Sequence, residues 1–492
     1  MMTIDKSSSN AIKPSVRRFG RALFGALVIL AGLSGCQNTN NSSNRPDLAI
    51  TNVTLIDTAN GTRRQQTVIV DDGMIKAIQP ANGQLLQVDR IIDGSGKFLI
   101  PGLWDMHVHI TYEPEITKAM PELFLSYGIT SVRDTGGLLP KLLPEITRWR
   151  APGATAPRIF FSGPLLDGNN VVYNGVGNTE IGTANPSVAS ARANVRALKE
   201  AGADFIKIYE LVTPDVFEAL VAEARRLELP IAAHVPLMLR AREAGPLVDS
   251  MEHLRNIELD CSTNAEALLA ERSRQISNPG DTPGYGLRSD IHATQRPKAL
   301  ATYNYQTCRE TIESLRNTLQ VPTLRLNTTA LYQPFDREDW QAHVKRLPTT
   351  ARTRWLDAGR SFSRLRRTMN PANARFSLQL VNELHAANVP IAAGTDTPIG
   401  SALPGYSLHT ELERLVEAGL SPAAALTSAT VNPARFFGKA DSMGSLARGY
   451  VADMVLLEAD PLRNITNTRR IHTVISKGKI AWQSTWISRA LN

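Results

Sequence analysis

The chain contains 492 residues, of which 42% are hydrophobic and 20% are charged, and its formal net charge is +8. This length and composition exclude a small single domain, a disordered chain and a polytopic membrane protein. Residues 1–36 hold five basic residues and one acidic residue, so half of the excess positive charge lies in this short segment. The rest of the chain carries little net charge for its length and does not indicate a nucleic-acid partner.

The N-terminal segment has the pattern of an export signal. A basic stretch ends at Arg21, and an apolar run follows over residues 22–33. Such a run fits the core of a signal peptide better than a membrane-spanning helix, which needs about 20 residues. The ending LSGC at 33–36 resembles the bacterial lipoprotein box, which implies a signal peptide over 1–36, a lipid on Cys36 and a polar tether over 37–47. The alternative is a plain secretory signal with an incidental cysteine.

This resemblance implies an exported bacterial lipoprotein on the periplasmic side, and Gln37 after the cysteine favours the outer membrane. A membrane contact is expected through the lipid anchor only. The other two cysteines, Cys261 and Cys308, are an even number in an oxidising compartment. Both a disulfide between them and two free thiols are consistent with the sequence.

In chain order, the first predicted elements after the tether are strands. Residues 48–100 alternate like strands and contain turn signals at Asn60-Gly61, Asp72-Gly73 and Asp93-Gly94. Residues 437–485 repeat the pattern with ADMVLLEAD and IHTVISKGKIAW. We expect the two flanks to form one small composite β-sandwich domain.

Residues 101–436 change to short apolar strands that alternate with helical stretches such as 187–201 and 214–228, which is typical of parallel βα units. The predicted fold class is therefore α/β, with a (β/α)8 TIM-like barrel. A doubly wound open sheet is the alternative, but no Gly-rich phosphate loop follows an early strand. The eight strand candidates are 102–110, 129–137, 158–164, 204–210, 230–236, 249–254, 321–329 and 389–398.

Two long segments, 255–318 and 330–375, interrupt the regular alternation. Both follow the C-terminal ends of strands, so in a barrel they would lie over the mouth. They are either lids or solvated insertions.

Metal-ligating residue types occur at the C-terminal ends of several predicted strands, and in a parallel barrel these ends meet at one mouth. His107 and His109 are separated by two positions on one strand and therefore face the same side. His234, His253 and Asp396 lie at the ends of the fifth, sixth and eighth strands. Imidazole and carboxylate ligands in this number suit a divalent ion such as zinc.

The motifs GLWDMHVHI, FIKIYE, AAHVP, SMEHL and AGTDTP resemble, in this order, the metal motifs of the amidohydrolase superfamily. The C-terminal segments HTELERLVEAGLSPAAALTSATVNPARFFG and GSLARGYVADMVLLEADP resemble the closing helices and β domain of its imidazolonepropionase- and prolidase-like branch. The resemblance covers about residues 48–480. It implies a metal-dependent hydrolase.

Lys207, in FIKIYE, distinguishes between subtypes of this superfamily. An ammonium group has no lone pair for a metal, but burial among apolar neighbours lowers the pKa of a lysine, and the neutral amine can capture carbon dioxide. The resemblance to binuclear members implies such a carboxylated lysine, bridging two metal ions. The alternative is a structural lysine that pairs with Glu210 or Asp204, which would leave a one-metal site as in the deaminases.

In the mechanism that the resemblance implies, His107, His109 and Asp396 hold the more buried of two zinc ions, and His234 and His253 hold the outer one. A metal-bridged hydroxide attacks the carbonyl carbon, and Asp396 accepts its proton and passes it to the leaving nitrogen. Tyr173, Tyr209 and His409 are candidate substrate contacts.

The function that follows is hydrolysis of carbon–nitrogen bonds in linear or cyclic amides. The alternatives are a prolidase-like dipeptidase, an aminohydrolase that releases ammonia, and a binding lipoprotein that has lost turnover. The expected partner in every case is a small-molecule or short-peptide substrate.

Overall fold

The computed structural model describes residues 45–83, 86–365 and 370–485, so the signal segment and Cys36 lie outside the described residues. Its strands divide between the two flanks and the middle of the chain. They are β1 Leu48–Asp57, β2 Gly61–Asp71, β3 Met74–Pro80, β4 Ile91–Asp93, β5 Phe98–Pro101, β6 Leu103–Val108, β7 Ile129–Asp134, β8 Arg158–Phe161, β9 Leu165–Asp167, β10 Gly182–Ala184, β11 Ile206–Ile208, β12 Ile231–Ala233, β13 Ser250–Glu252, β14 Leu319–Val321, β15 Met454–Leu457, β16 Ile471–Ser476 and β17 Lys479–Gln483.

Helices lie between β6 and β15. They are α1 Pro114–Thr117, α2 Met120–Ser126, α3 Leu139–Arg150, α4 Val188–Glu200, α5 Pro214–Arg226, α6 Ala241–Ala244, α7 Ile257–Asp260, α8 Ala265–Ser277, α9 Gly284–Ala301, α10 Tyr305–Ser314, α11 Leu324–Asn327, α12 Glu338–His343, α13 Thr349–Leu365, α14 Ala372–Ala386, α15 Tyr406–Glu417, α16 Pro422–Ser428 and α17 Val431–Phe436. Short 3-10 turns occupy Gly245–Leu247, Pro334–Asp336, Val344–Arg346 and Ile465–Arg469. Within the described ranges, none of the helices has the length and apolar character needed to cross a bilayer.

Strands from both flanks of the chain form one mixed sheet in the order β17-β16-β15-β5-β1-β2-β3, and β4 pairs with β1. The flanks meet where β15 runs antiparallel to β5, with Met454 opposite Pro101. The β2–β3 hairpin turns at Asp72 and Gly73, whose φ angles of 47° and 74° suit a tight hairpin turn of the Asp-Gly type. The sequence-predicted association of the two flanks is therefore present in this sheet.

The middle strands form two parallel sheets, β6-β7-β8 and β10-β9-β11-β12-β13-β14. Segment 391–397 links them through two isolated parallel bridges, Gln320 with Ile391 and Val108 with Thr397. The sequence predicted one ring of eight strands. The observed strands are shorter than predicted, and their hydrogen bonds place them in two separate sheets. The eighth predicted strand, 389–398, forms only these bridges.

The prediction of a seventh strand over residues 321–329 is wrong. The strand is β14, which ends at Val321, and the chain then turns at Thr323, whose φ is 45°, and enters α11. Buried Glu411 of α15 accepts hydrogen bonds from the backbone N–H groups of Leu324 and Arg325, at 2.9 and 2.7 Å. These bonds satisfy donors at the start of α11, which local sequence pattern does not reveal.

The packing of segment 391–397 against β6 brings two parts of the candidate metal site together. Thr395 donates to Asp105 from both its backbone N–H and its hydroxyl, at 3.0 and 2.7 Å, and Asp396 N–H donates to the carbonyl of His107 at 2.7 Å. Gly394 permits this approach because a Cβ atom there would lie 2.9 Å from Cβ of His107. Asp105 was not identified from the sequence, although it lies within the GLWDMHVHI motif.

Candidate metal centre and active site

The five sequence-predicted metal ligands and Lys207 line one cavity of about 160 Å³. His107 and Lys207 lie in β6 and β11, and His109, His234 and His253 follow the ends of β6, β12 and β13. All six side chains are buried. The full lining comprises His107, His109, Leu165, Tyr173, Ile181, Lys207, Tyr209, His234, His253, Arg255, Arg288, Leu326, Asp396 and Ile399.

His107, His109 and Asp396 form the tightest cluster, with one potential ligand atom from each lying within 4.8 Å of the others. The Nε2 atoms of His107 and His109 lie 3.3 and 3.2 Å from Oδ1 of Asp396. Burial alone would raise the pKa of Asp396, but His253, His107 and His109 together outweigh it and hold this pKa well below its ordinary value. Asp396 has a φ of 61°, and such backbone strain is typical of functional sites.

Hydrogen bonds at Nδ1 determine which nitrogen of each imidazole faces the cavity. Nδ1 of His107 lies 2.6 Å from Glu252, that of His109 lies 2.9 Å from the carbonyl oxygen of Gly136, and that of His234 lies 2.7 Å from Glu210. Since a carbonyl or ionised carboxylate can only accept, Nδ1 carries the proton and the lone pair of Nε2 is available to a cation. Nε2 of His107, Nε2 of His109 and Oδ1 of Asp396 all present lone pairs to one another, so their approach requires a shared proton or a cation. The donor set therefore fits a metal ion.

Glu252 is a candidate functional residue that the sequence did not reveal. Its side chain is fully buried, and Oε1 accepts hydrogen bonds from Arg133 at 2.6 Å and from Ser250 at 2.9 Å while Oε2 bonds His107. Burial would raise its pKa, but Arg133 and Lys207 hold it well below the ordinary value. Its position directly before His253 in SMEHL was the available signal.

Lys207 is fully buried, and its Nζ has no hydrogen-bond partner among the described residues. Burial lowers its pKa to about 7. The pairing with Glu210 or Asp204 that was the structural alternative is not made, because Asp204 bonds Arg150 at 2.9 Å and Glu210 bonds other groups. A buried, unpaired amine in a ligand cluster fits the chemistry of a carboxylated lysine.

His234 and His253 face each other with their ring centroids 4.7 Å apart. Nδ1 of His253 lies 2.6 Å from the hydroxyl of Thr323. Burial is the main cause that lowers the pKa of both imidazoles well below the ordinary value, and Lys207 contributes at His234. Both rings are therefore neutral, as ligation requires.

Glu210 connects His234 to the segment 255–318. It also accepts hydrogen bonds from Arg288 and His292 of α9. Arg255 and Arg288 of the same segment line the cavity. This insertion is therefore part of the cavity wall, which the sequence could not distinguish from solvated decoration.

Of the candidate substrate contacts, Tyr173 and Tyr209 line the cavity and His409 lies elsewhere. Tyr209 packs on the ring of His234 at 4.5 Å between centroids, and Tyr173 packs on Tyr209 at 5.8 Å. Burial raises the pKa of Tyr173 to about 12, so it remains a hydrogen-bond donor. His409 is buried between the hydroxyl of Thr468 and the carbonyl oxygen of Tyr127, each at 2.9 Å. The prediction that it contacts substrate at the mouth is therefore wrong, and its hydrogen bonds hold α15 in place.

The structure joins Cys261 and Cys308 in a disulfide, which closes a loop over a sequence separation of 47 residues. Cys261 directly follows α7 and Cys308 lies in α10. The loop includes α8 and α9, and therefore Arg288 and His292.

Part of the sequence and the fold of the chain are similar to those of known proteins. Residues 361–481 match the model of the amidohydrolase family. An imidazolonepropionase of Colwellia psychrerythraea is 23% identical over 75% of this chain and 77% of its own length. Matches of 30–37% identity to an adenine deaminase and to other imidazolonepropionases span only 14–24% of the length of those relatives.

Two solved structures share the fold across most of the chain. A Xaa-Pro dipeptidase has a TM-score of 0.63 and 19% identity, covering 89% of this chain and 100% of the other. A bottromycin amidohydrolase has a TM-score of 0.65 and 24% identity, covering 90% and 88%. Residues 361–481 are therefore similar to the amidohydrolase family, and the chain shares its fold with a solved bottromycin amidohydrolase.

Proposed function

We propose that this protein is a metal-dependent hydrolase of carbon–nitrogen bonds, acting on linear or cyclic amides. The observation that carries the proposal is the convergence of His107 and His109 Nε2 on Oδ1 of Asp396, in one cavity with Lys207. The amidohydrolase-family match and the similarity to imidazolonepropionase support the same reaction class.

His107, His109 and Asp396 would hold one divalent ion, and His234 and His253 the other, with carboxylated Lys207 between them. Zinc suits these ligands, and such ions supply an activated water and polarise a carbonyl group. The chain's own residues orient the ligands: Glu252 fixes the ring of His107, the carbonyl group of Gly136 fixes His109, and Glu210 fixes His234.

Asp396 is the group placed to move a proton. Its low pKa keeps it ionised near neutral pH, so its oxygen can accept a proton from the attacking water and deliver it to the leaving nitrogen. Tyr173 and Tyr209 line the same cavity and can donate hydrogen bonds to the substrate.

Metal analysis of the purified protein tests the proposal, combined with assays of amide hydrolysis before and after chelation. We expect two ions per chain, reconstitution that depends on bicarbonate, and loss of activity when the metal is removed. One ion per chain would favour an aminohydrolase, and none would favour a binding protein.

A prolidase-like dipeptidase is the second candidate, favoured by the Xaa-Pro dipeptidase among the structures with the same fold. A panel of dipeptides assayed beside simple amides separates the two.

Two further features are part of this proposal. The bridges at Val108 and Gln320 support the view that the two parallel sheets are arcs of one (β/α)8 barrel. The LSGC sequence supports export and lipid attachment at Cys36. Replacing Cys36 by Ala should move the protein from the membrane fraction to the soluble fraction, and unchanged fractionation would exclude the anchor.

A further inference from the structure

Two arginines from the insertion 255–318 line the metal cavity. Arg255 lies directly beyond Leu254 at the end of the β13 segment, and Arg288 lies in the first half of α9. Their side chains are only 14% and 13% exposed, and both line the same cavity as the histidines. Two positive charges therefore face a small and largely enclosed space.

The carboxylate nearest to these arginines is already occupied. Glu210 accepts hydrogen bonds from Nδ1 of His234 at 2.7 Å, from Nη2 of Arg288 at 3.1 Å and from Nε2 of His292. A carboxylate offers about four lone-pair positions, so Glu210 has little capacity left for a second guanidinium. Arg288 has a partner inside the protein.

Arg255 has only a long ion pair with Glu210 and no hydrogen bond to it. Its Nε lies 3.9 Å from Glu210, which is too far for a hydrogen bond, and this buried nitrogen has no hydrogen-bond partner among the described residues. A buried donor of a charged group that is left unpaired is costly, so native structures normally supply a partner from protein, water or ligand. Arg255 lines the metal cavity, so a ligand in that cavity can supply the partner.

The backbone around Arg255 is held in an unusual conformation. His253, Leu254 and Asn256 have φ angles of 58°, 58° and 65°, in the left-handed region that non-glycine residues seldom adopt. Asn256 is anchored by its Nδ2, which donates to the carbonyl oxygen of Val235 at 2.7 Å, and by its Oδ1, which accepts from Arg272 at 3.0 Å. Strain of this kind is retained where the surrounding structure holds a functional geometry, and it places a predicted metal ligand and Arg255 at one cavity.

We propose that Arg255, with Arg288 beside it, binds a carboxylate of the substrate, so that the substrates are N-acyl amino acids or short peptides with a free carboxylate near the cleaved bond. A guanidinium matches a carboxylate through paired N–H donors. The same cavity is lined by Leu165, Ile181, Leu326 and Ile399, which favour an apolar side chain. The inference rests on the proposed amide hydrolysis.

The reaction balances without another reactant. Water adds its oxygen to the acyl carbon, the carbon–nitrogen bond breaks, and the protons of water pass to the nitrogen of the departing amino acid. The products are a carboxylate and a zwitterionic amino acid, whose own carboxylate stays with Arg255 until release.

Matched substrate pairs test the assignment on the full metal-loaded chain. The pairs are the N-acetyl derivatives of L-leucine, L-methionine, L-phenylalanine and L-proline, each with its carboxamide. We expect the wild type to favour the carboxylate member, and Arg255→Gln to lower kcat/KM for that member by about 10- to 100-fold, mainly through KM. The carboxamide should change by no more than about threefold in the same variant.

Arg296→Gln is the matched control, because Arg296 is another arginine of the insertion 255–318 but pairs with Glu258 at 3.1 Å and does not line the metal cavity. It should leave the carboxylate-to-carboxamide ratio unchanged. Arg255→Lys keeps the charge and loses the planar fork, so it should retain part of the preference and serves if Arg255→Gln does not fold.

A binding measurement decides the assignment independently of turnover. In calorimetric titrations of the metal-loaded protein, L-leucine should bind more tightly than L-leucinamide, and Arg255→Gln should remove the difference. Equal binding of the two, or an equal loss for both in Arg255→Gln, would overturn the role of Arg255. Absence of hydrolysis for every pair by the metal-loaded protein would instead count against the proposed function.

Discussion

Nδ1 of His107 lies 2.6 Å from Oε2 of Glu252, and the other oxygen of Glu252 accepts a hydrogen bond from Arg133. This chain of contacts links strands β6, β13 and β7. It fixes the ring orientation of His107 and keeps Nε2 directed towards Asp396. Groups that orient a metal ligand in this way commonly control affinity for the metal as strongly as some ligands do.

Replacing Glu252 by Gln should therefore weaken metal binding by about 10- to 100-fold, because the neutral amide orients His107 less strongly and leaves Arg133 without its charged partner. Competition with a chelator measures the affinity. Glu258→Gln is the control, since Glu258 is also a buried glutamate with an arginine partner, Arg296, and does not line the metal cavity. Equal metal affinity in wild type and Glu252→Gln would contradict the assigned role.

Asp396→Asn should retain metal and lose turnover, because an amide oxygen can still ligate but the side chain no longer accepts a proton. Loss of general-base catalysis predicts a fall in kcat of about 10²- to 10⁴-fold. Steady-state kinetics on metal-loaded protein, with the metal content of each sample measured, separates the two effects. Substantial residual activity at full metal content would remove Asp396 from the proton transfer.

Carboxylation of Lys207 should depend on pH in a defined direction. Burial lowers its pKa to about 7, so the neutral amine that reacts with carbon dioxide predominates above this pH and is protonated below it. Bicarbonate-dependent metal uptake should therefore increase from about pH 6 to about pH 8. Carbon-13 NMR after labelling with enriched bicarbonate should show a carbamate carbon, which Lys207→Met should lack. Full binding of two ions without this signal would exclude the modification.

The Cys261–Cys308 disulfide should stabilise the folded chain by restricting the loop that carries α9. For a loop of 47 residues the chain-entropy model gives a contribution of about 4 kcal/mol to the free energy of unfolding. Urea unfolding of the Cys261→Ser/Cys308→Ser double variant measures it, and reduction of the wild type should give the same change. A difference below about 1 kcal/mol would show that the loop is restrained by its packing alone.

The positions of the ligands were accessible from sequence because they depend on local pattern. His107 and His109 lie two residues apart at the end of an apolar strand, and the ends of parallel strands meet on one side, so their convergence with His234, His253 and Asp396 was predictable. The burial of Lys207 between apolar neighbours was predictable for the same reason.

Predictions from local sequence pattern were wrong where the same pattern is compatible with two different structures. Residues 321–329 alternate like a strand, but the strand ends at Val321 and α11 begins at Leu324, held by Glu411 from a distant helix. Histidine is a common residue type in active sites, but the imidazole of His409 bonds the hydroxyl of Thr468 and the backbone of Tyr127. In each case a contact between residues far apart in sequence decided the outcome.

The sequence by itself determined most of the strands, the order of the candidate ligands and the reaction class they suit. The period of hydrophobic residues and the chemistry of imidazole, carboxylate and amine are local properties. Only the tertiary structure decided what orients and surrounds them. Glu252 meets His107 across 145 positions, and Arg288 meets Glu210 across 78. Such contacts depend on how the strands and an inserted helix pack. Hydrogen-bond partners this far apart in sequence produce no periodic pattern of residues in the chain.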